Sequence, residues 1–489
     1  MPPETPVIAA DRSSGPDPDD LVRSARSLLR AGRPGAARPL IAALKRLRPA
    51  GCGMPLLESE LAEAEGRIPD AIAALAPAFS GGPAEVGLLK RRAGLLHQAG
   101  DASAAIRDAA EAVITAPRDA GAKALLGLLL MENGDSSAAL TCLADAVAAD
   151  PENVEFRLGS AEAAARSGDA ARAAHLLEEG IARAPGRADL REAAIRAALR
   201  RDDPAKAENL ATEALAAGLA SASIFRFLGE AAVAQGRGGE AAKWLAEALK
   251  LDPADAALRH MAAATGALPP PERAPPEAVR ARFESAAPGF ARAMIAAGDR
   301  VPGLIRAAVL AHVPLPQAGK LGPVLDLGCG SGMAAIALSD LPLGPFVGLD
   351  LSPAMLSAAR EWGLYADLVE ADLADFLAAD ERGLPLILAA DVLTWFGPLR
   401  SVFGAVERRL APGGRFILSL EAMPAERLDT RGWELRPDGS YAHAEALCEG
   451  SARDAGLRVI DLRRETLRVE NGVPVAGLLA VLARSNDDD

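Results

Sequence analysis

The sequence predicts two domains, an all-α solenoid of helical repeats followed by an α/β domain. A 34-residue period runs through the first half of the chain, as in proteins that stack similar helix pairs. After Gly322 short apolar segments alternate with helical ones, which is typical of a mostly parallel sheet covered by helices on both faces. We therefore predict a disordered N-terminus, the repeats, a Pro-rich linker, the α/β domain and an acidic tail at residues 1–17, 18–264, 265–278, 279–484 and 485–489.

Charge and composition argue against several classes of function. The chain of 489 residues has a formal net charge of −13, and such an acidic surface repels nucleic-acid phosphates and anionic lipid. We expect no nucleic-acid partner and no membrane partner. The four cysteines share no spacing, so we expect neither disulfides nor a metal site. The sequence has no signal-peptide pattern and no uninterrupted apolar run of about 18 residues, which favours a cytoplasmic protein.

Four columns of residues recur with the 34-residue period. Glycine occupies the turn column except at Asp202, and we expect left-handed backbone there. Alanine fills every slot of the second column, which predicts close contact between helices. The third column holds small residues after an initial Leu44, and the fourth holds proline where one repeat ends. The members are Gly32, Gly66, Gly100, Gly134, Gly168 and Gly236; Ala37, Ala71, Ala105, Ala139, Ala173, Ala207 and Ala241; Ala78, Ala112, Ala146, Gly180, Ala214 and Ala248; and Pro49, Pro83, Pro117, Pro151, Pro185 and Pro253.

This pattern resembles the tetratricopeptide repeat, in about seven copies from Pro18 to Asp255. The aromatic residues usual in that family are mostly absent. The resemblance implies a curved solenoid with a concave surface, which favours a protein partner on the repeats. A spacer or a contact for self-association, and thus an oligomer, is the alternative. We expect the linker that follows to be extended and semi-rigid and to cross no core, because it contains five prolines.

Seven strands are predicted in the second half of the chain. Asn471 and Gly472 join the last two, a strong signal for a hairpin turn. The pattern predicts a seven-stranded sheet whose last strand is antiparallel, with ligands bound at the carboxyl ends of the parallel strands. The predicted strands are 323–327, 346–349, 367–369, 384–390, 415–420, 457–468 and 473–483.

The strongest local signal is a glycine loop after the first of these strands. It contains Asp326 followed by Gly328, Gly330 and Gly332 in the spacing G-x-G-x-G. Glycines at such positions allow a tight turn and let a ligand approach bare backbone. The dinucleotide fingerprint would require a glycine where Met333 stands, and the lysine of a phosphate-binding loop is missing as well.

Two further carboxylates follow the next strands. Asp350 comes 24 residues after Asp326, where an acid can accept both hydrogen bonds of a ribose diol. Asp372 follows the third strand, where it can accept from the amino group of adenine while Leu373 packs on the ring. A ligand with adenine, ribose and a cationic centre, but without phosphate, is S-adenosylmethionine.

This stretch resembles the class I methyltransferases, which have a Rossmann-like fold. Their three motifs correspond to residues 326–332, 348–356 and 370–373, and nearly the whole chain resembles bacterial fusions of such a domain behind tetratricopeptide repeats. The resemblance implies S-adenosyl-L-methionine as the cofactor. The implied cofactor-binding residues are Asp326, Gly328, Gly330, Gly332, Asp350, Leu351, Asp372, Leu373 and Asp391.

Methyl transfer needs a positioned acceptor and, where the acceptor is protonated, a base. The resemblance implies that Asp391, Thr394, Trp395 and Glu421 face the methyl group. We expect Tyr441 and His443 in a loop that reaches over the pocket, which makes His443, Tyr441 and Asp391 the catalytic candidates. His443 is the best base by its pKa, although a surface histidine is an equally good interpretation.

The acceptor does not follow from the sequence. The segment 391–394 lacks the signature of adenine methyltransferases, which disfavours nucleobase amines. Where related enzymes tend to carry an aromatic residue, a histidine and an aspartate over the methyl group, this chain has the segment 289–294. We expect a methyltransferase acting on a small molecule or a docked protein. The alternative is a non-enzymatic repeat adaptor with a degenerate domain, which the intact glycines and acids disfavour.

Overall fold

The chain forms two compact units that divide between Asp203 and Pro204. Some predicted features lie outside the residues that the structure describes. They are the N-terminal segment 1–16, which was predicted to be disordered, Pro49, Pro83, Asn471 and the acidic tail. No helix in the described ranges is long and apolar enough to cross a membrane. The computed structural model describes residues 17–47, 53–79, 85–287, 289–378, 383–424, 431–470 and 472–484.

The first unit consists of antiparallel helix pairs with one short 3-10 helix, 76–79. Neighbouring helices pack on each other along the chain, α5 on α6, α7 on α8 and α9 on α10 among them. The helices are α1 Pro18–Arg30, α2 Pro34–Leu47, α3 Met54–Ala64, α4 Ile68–Leu75, α5 Val86–Gln98, α6 Ala102–Thr115, α7 Ala120–Glu132, α8 Ser136–Ala149, α9 Val154–Arg166, α10 Ala170–Arg183 and α11 Ala188–Arg200.

The turns within the repeats have the backbone conformation that the glycine column predicts. All six glycines of the column have a positive φ, and Asp202 in the remaining slot has a φ of 56°. In one such turn the amide of Asp135 donates to the Leu130 carbonyl at 2.9 Å, and the Asp135 side chain then accepts from the amide of Ala138 at 3.0 Å. One helix therefore ends and the next begins within a few residues.

The alanine column marks the closest contacts between helices. All seven of its alanines are at most 1% exposed. A Cβ atom added to Gly127 on α7 would meet the Leu143 side chain on α8 at 2.6 Å, which shows how little space the helices leave. In the third column Gly180 is also tightly packed, since a Cβ there would meet Leu190 at 3.1 Å. The first slot of that column, Leu44, is buried as well.

The second unit begins with seven helices. The helix predicted near 277–297 is divided in two at Gly289, whose φ is 85°. The helices are α12 Pro204–Ala216, α13 Ala222–Ala234, α14 Gly238–Leu251, α15 Ala256–Ala264, α16 Pro276–Ala286, α17 Phe290–Ala296 and α18 Val301–His312.

A mixed sheet follows, and the seven predicted strands occur in it in the order β3-β2-β1-β4-β5-β9-β8. The last strand, β9, is antiparallel to both of its neighbours, as predicted. Two three-residue strands were not predicted: β7 pairs with the end of β5, and β6 pairs with β7. The strands are β1 Val324–Leu327, β2 Phe346–Asp350, β3 Tyr365–Glu370, β4 Leu384–Ala389, β5 Leu410–Ala422, β6 Trp433–Leu435, β7 Tyr441–His443, β8 Leu457–Glu470 and β9 Val473–Arg484.

Helices cover both faces of this sheet, and a core lies on each side. Side chains of α18 and α19 pack on one face, and side chains of α21, α22 and α23 pack on the other. Successive residues of β4 alternate between the two cores, which is why the strand reads as a continuous apolar run. The remaining helices are α19 Met333–Leu338, α20 Pro353–Arg360, α21 Leu373–Ala378, α22 Arg400–Arg409 and α23 Glu445–Asp454.

Candidate functional site

A cavity of about 660 Å³ lies at the carboxyl ends of the central strands. Gly332, at the start of α19, is the one predicted cofactor residue that does not line it. The parallel pairing of β3, β2, β1 and β4 brings the segments that follow them to one edge of the sheet. The predicted cofactor residues that line the cavity are Asp326, Gly328, Gly330, Asp350, Leu351, Asp372, Leu373 and Asp391.

The glycines of the loop serve different purposes. Gly328 and Gly330 have φ values of 63° and 52°, which side chains disfavour. A Cβ atom on Gly328 would meet Val392 at 2.3 Å, so this glycine lets the loop pack against the segment after β4. A Cβ atom on Gly330 would meet nothing within 4 Å, so its backbone faces open space. The loop thus offers bare backbone to a ligand at Gly330.

Asp326 is a fully buried carboxyl in the wall of the cavity. Its Oδ2 accepts a hydrogen bond from the Tyr365 hydroxyl at 2.7 Å, whereas Oδ1 has no partner within the described part of the chain. Burial raises the pKa of Asp326 to about 7, and the nearby charge of Asp350 adds to the increase. A cationic or hydrogen-bond-donating ligand would compensate for this burial.

Asp350, the last residue of β2, is held by the loop it faces. Its Oδ2 accepts from the amide of Gly330 and its Oδ1 from the amide of Ser352, both at 2.9 Å. Burial raises the pKa of this carboxyl, while the amides lower it. Each carboxylate oxygen uses one of its two acceptor positions for a backbone amide, so each keeps a second position for a ligand.

Asp372 is paired with an arginine that sequence reasoning missed. The Arg273 guanidinium donates to both carboxylate oxygens, and Oδ1 also accepts from the amide of Ala374 at 2.9 Å. Burial raises the pKa of Asp372, but the hydrogen bonds and charge of Arg273 outweigh burial and hold it below its ordinary value. The two residues are 99 positions apart, so no local pattern indicates the pair.

A second, partly buried arginine orders the opposite side of the cavity. Arg468 of β8 contacts Asp391 at 3.0 Å, Glu470 at 2.6 Å and also Glu421, and all four side chains line the cavity. Burial raises the pKa of Asp391 to about 6, although Arg468 opposes the increase. Its Oδ1 is buried without a partner in the described residues. Sequence reasoning found Asp391 and Glu421 and missed Arg468, whose strand pattern does not distinguish it.

Helices α16 and α17 supply the aromatic wall of the cavity. Phe283 of α16 makes edge-to-face contacts with Trp395 and with Phe290, at centroid distances of 5.7 and 6.0 Å. The segment predicted to lie over the methyl group therefore does line the cavity, through Gly289, Phe290, Ala293 and Met294.

His443 and Tyr441 do not line the cavity, which corrects the expectation that they reach over it. Both lie fully buried on the strand β7, not in a loop. His443 Nε2 donates to the carbonyls of Phe396 and Gly397 at 2.8 and 3.1 Å, and burial lowers its pKa to about 4. The three-residue strand was missed because its partner, the end of β5, is distant in sequence. A neutral, enclosed imidazole is poorly placed to act as a base.

The Pro-rich segment packs against the α/β domain, so the expectation that it crosses no core is wrong. Ala274 is 3% exposed in a small apolar cluster with Val279, Trp433 and Tyr441. The Tyr441 hydroxyl donates to the Pro271 carbonyl at 2.8 Å. Tyr441 therefore fixes this segment and takes no part in the cavity wall.

Comparisons with known proteins agree with this architecture. Residues 324–414 match the family model of a methyltransferase domain, from β1 into β5, and residues 125–188 and 192–256 match the model of a tetratricopeptide repeat. The chain therefore carries tetratricopeptide repeats followed by a class I methyltransferase domain.

Curated relatives are methyltransferases with different named acceptors. A trans-aconitate 2-methyltransferase of Paracidovorax citrulli is 32% identical over 180 residues, which are 37% of this chain and 63% of that protein. A ribosomal protein L11 methyltransferase of Cupriavidus metallidurans is 38% identical over 96 residues, which are 20% of this chain and 30% of that protein. The chain spans less than two thirds of the length of these relatives.

Solved structures resemble the chain more distantly. A tetratricopeptide repeat protein from Parabacteroides merdae matches 52% of this chain and 100% of its own, with a TM-score of 0.40 and 19% identity. The 1,6-didemethyltoxoflavin-N1-methyltransferase of Burkholderia thailandensis, solved with its substrate and S-adenosylhomocysteine, matches 42% of this chain and 88% of its own, with a TM-score of 0.34 and 17% identity. These similarities concern the fold only.

Proposed function

We propose that this protein is an S-adenosylmethionine-dependent methyltransferase. The main support for this proposal is that Asp326, Asp350 and Asp372 line the same cavity as the open backbone of Gly330. Among the described residues that line it, acids outnumber arginines, and Arg273 and Arg468 are already paired with carboxylates, which fits a ligand without phosphate. The residues fit this cofactor because, among the described residues, Asp326 Oδ1 has no partner and no atom occupies the space beside Gly330. Its ribose diol, adenine amino group and cationic centre are the groups that carboxylates bind.

Each predicted cofactor residue has a place in this proposal. Asp350 would accept the hydrogen bonds of the ribose diol with the acceptor positions that the backbone leaves unused. Asp372 would accept from the adenine amino group, and Leu351 and Leu373 would pack on the rings. Gly328 and Gly332 would shape the loop without contacting the ligand closely. When bound, S-adenosylmethionine supplies an activated methyl group, so the protein has only to orient the acceptor and take up a proton.

Asp391 is the base in this proposal. Its Oδ1 is buried in the cavity wall, has no partner in the part of the chain that the structure describes, and would accept the proton that an acceptor loses. A carboxyl with a pKa of about 6 is mostly ionised at neutral pH and still a better base than an ordinary aspartate. Arg468 and Glu421 would hold it in place.

The charge of the cavity wall favours some methyl acceptors over others. Trans-aconitate is a tricarboxylate, and a wall with more acids than arginines repels such an anion. A neutral or basic acceptor, either a small molecule or a side chain of a docked protein, fits better. The charged lining residues are Asp299, Asp326, Asp350, Asp372, Asp391, Glu421, Asp438 and Glu470 on the acidic side and Arg273, Arg282 and Arg468 on the basic side.

The repeats would select the acceptor or a partner protein, in a cytoplasmic enzyme. A solenoid offers far more surface than a small metabolite uses, and a docked partner would be held near the cavity at high effective concentration. Self-association through the repeats is the competing role. A purely non-enzymatic adaptor is disfavoured because the glycine loop and all three carboxylates are arranged around an open cavity.

Calorimetry with S-adenosylhomocysteine tests the proposed cofactor. We expect binding at roughly micromolar dissociation constants, and a loss of more than about tenfold in Asp350→Ala. Asp367→Ala, at an exposed position of the neighbouring β3, is the control and should bind as the wild type does. Tight binding of NAD without binding of either methyl-cycle ligand would refute the proposal.

Methylation of a cell lysate with isotope-labelled cofactor tests the role of the repeats. The full chain and residues 204–489, which form one compact unit, would be compared after a check that both are folded. Slower labelling of a specific acceptor by the shorter chain would support docking. The shorter chain keeps α12–α15, so equal rates on the same acceptor would exclude docking by the repeats before residue 204 and leave self-association as the role of those repeats.

A further inference from the structure

The segment 266–275, here called the strap, joins α15 to α16 and forms one wall of the cavity through Arg273 and Ala274. We infer that Arg273 is a cofactor-positioning residue, which holds the carboxylate of Asp372 as the acceptor for the adenine amino group. The inference rests on the proposed function and assigns to it a residue that lies before the methyltransferase motifs. The repeats would then be joined directly to the cofactor site through the strap.

Backbone hydrogen bonds fix the strap on the segment that follows β4. The amide of Ala274 donates to the Trp395 carbonyl at 2.9 Å, and the amide of Gly397 donates to the Glu272 carbonyl at 2.7 Å. Arg273 lies between these two bonds, in an antiparallel bridge with Phe396. Its guanidinium also lies 5.0 Å from the centre of the Phe396 ring. The direction of the Arg273 side chain is therefore set by its own backbone.

Side chains fasten both the strap and the helix that precedes it. At the helix before the strap, His260 Nε2 donates to the Gly439 carbonyl at 2.8 Å. Within the strap, the Pro271 carbonyl accepts from the Tyr441 hydroxyl. The rings of His260 and Tyr441 also contact each other, with centroids 5.9 Å apart. Both contacts are made to the β6–β7 hairpin and its turn, so this hairpin holds the strap beside the cavity.

The geometry of the pair explains how Arg273 would act. Its two terminal nitrogens contact different oxygens of Asp372, so the carboxylate plane is fixed. With the Ala374 amide on Oδ1, an acceptor position remains on Oδ2 for a ligand. Without the arginine, only the weaker effect of the backbone hydrogen bonds from Ala374 and Asp375 would oppose the burial that raises the pKa of Asp372. Arg273 would thus keep Asp372 both ionised and oriented.

Binding of S-adenosylhomocysteine to the full chain, measured by calorimetry at pH 7.5, tests the inference. We expect Arg273→Gln to weaken binding about tenfold, and Arg273→Lys to lie in between, because an ammonium keeps the charge but cannot span both oxygens. Arg280→Gln is the matched control, since Arg280 forms an exposed pair with Glu370 at 3.1 Å on the same domain. That control should bind as the wild type does.

A double-mutant cycle with Asp372→Asn separates positioning from a general structural role. If Arg273 acts through Asp372, then Arg273→Gln should weaken binding less than about twofold in the Asp372→Asn background. A full tenfold loss in that background would overturn the inference. In Arg273→Gln the affinity should also fall more steeply than in the wild type between pH 7.5 and 5.5, because Asp372 would take up a proton at higher pH. An unchanged pH profile would count against the inference.

The outcomes also distinguish this inference from the proposed function. If the wild type binds neither S-adenosylmethionine nor S-adenosylhomocysteine, the proposed function fails. If the wild type binds and Asp372→Asn weakens binding while Arg273→Gln does not, the role of Arg273 alone fails. Should Arg273→Gln not fold, Arg273→Lys and its pH profile carry the same test.

Discussion

Replacing Asp326 with asparagine should change how the stability of the second unit depends on pH. The carboxyl is fully buried, and its pKa is raised from the ordinary 3.8 to about 7. The folded state therefore binds a proton more tightly than the unfolded state does. Stability from this group is present below pH 3.8, is lost progressively as the pH rises from 3.8 to 7, and stays lost above 7.

The expected size of this pH effect follows from the ordinary and the raised pKa of Asp326. Between pH 5 and pH 8 the wild type should lose about 2.5 kcal/mol of unfolding free energy through Asp326 alone, at about 1.4 kcal/mol for each unit of pKa difference that is titrated. Asparagine has no charge to bury, so the variant should not show this loss. Its amide leaves an unpaired donor that costs about 1–3 kcal/mol at every pH, so the informative quantity is the change between the two pH values.

Urea unfolding of the ligand-free protein, followed by tryptophan fluorescence at pH 5 and pH 8, measures this change. Trp244, Trp362, Trp395 and Trp433 are the four tryptophans of the chain, and all lie in the second unit, so the signal reports that unit alone. Asp367→Asn, an exposed aspartate, is the control and should keep the pH dependence of the wild type. If Asp326→Asn lost as much unfolding free energy between pH 5 and pH 8 as the wild type does, the reasoning would be refuted.

Two further predictions concern the repeats and Arg468. Asp202→Gly should raise the stability of the first unit by about 0.5–1 kcal/mol, because glycine adopts the left-handed conformation without strain, and Gly134→Asp should lower it by a similar amount. Thermal unfolding by circular dichroism checks the two, and a shift of the same sign in both would contradict them. Arg468→Ala should cost about 2–3 kcal/mol, since it removes the cation shared by Asp391, Glu470 and the buried Glu421, which keeps its pair with Arg436, whereas Arg464→Ala on the same strand should cost less than about 1 kcal/mol. Urea unfolding by tryptophan fluorescence compares them, and equal costs would contradict this account.

Much of the fold could be predicted because its signals are local. The 34-residue period fixes helix pairs through residues that meet within one repeat, and Asp202 shows that the turn keeps its conformation where glycine is replaced. Strands that alternate with helices predict a mostly parallel sheet with helices on both faces, and the Gly472 hairpin signal places the antiparallel strand correctly. The two short strands β6 and β7 escaped prediction because three residues carry no periodicity.

Some residues of the candidate site could be predicted from the sequence, and others could not. Acids at the ends of successive parallel strands must lie at one edge of the sheet, so Asp326, Asp350 and Asp372 were found from sequence order, and the family resemblance added Asp391. His443 and Tyr441 were assigned to the cavity from their chemistry and position in the chain. Their burial on β7 depends on pairing with the distant end of β5, which no local pattern describes.

The sequence by itself therefore determined the repeats, the class of the sheet and the carboxylates that face the cavity, because helical periods and strand ends are properties of neighbouring residues. The tertiary structure alone decided which cations meet those carboxylates. Arg273 reaches Asp372 across 99 positions, and Arg468 reaches Asp391 across 77. Such pairs form because the strap and β8 pack beside the cavity, where burial makes an unpaired carboxylate costly. That cost depends on what surrounds a side chain in space, which only the folded chain defines.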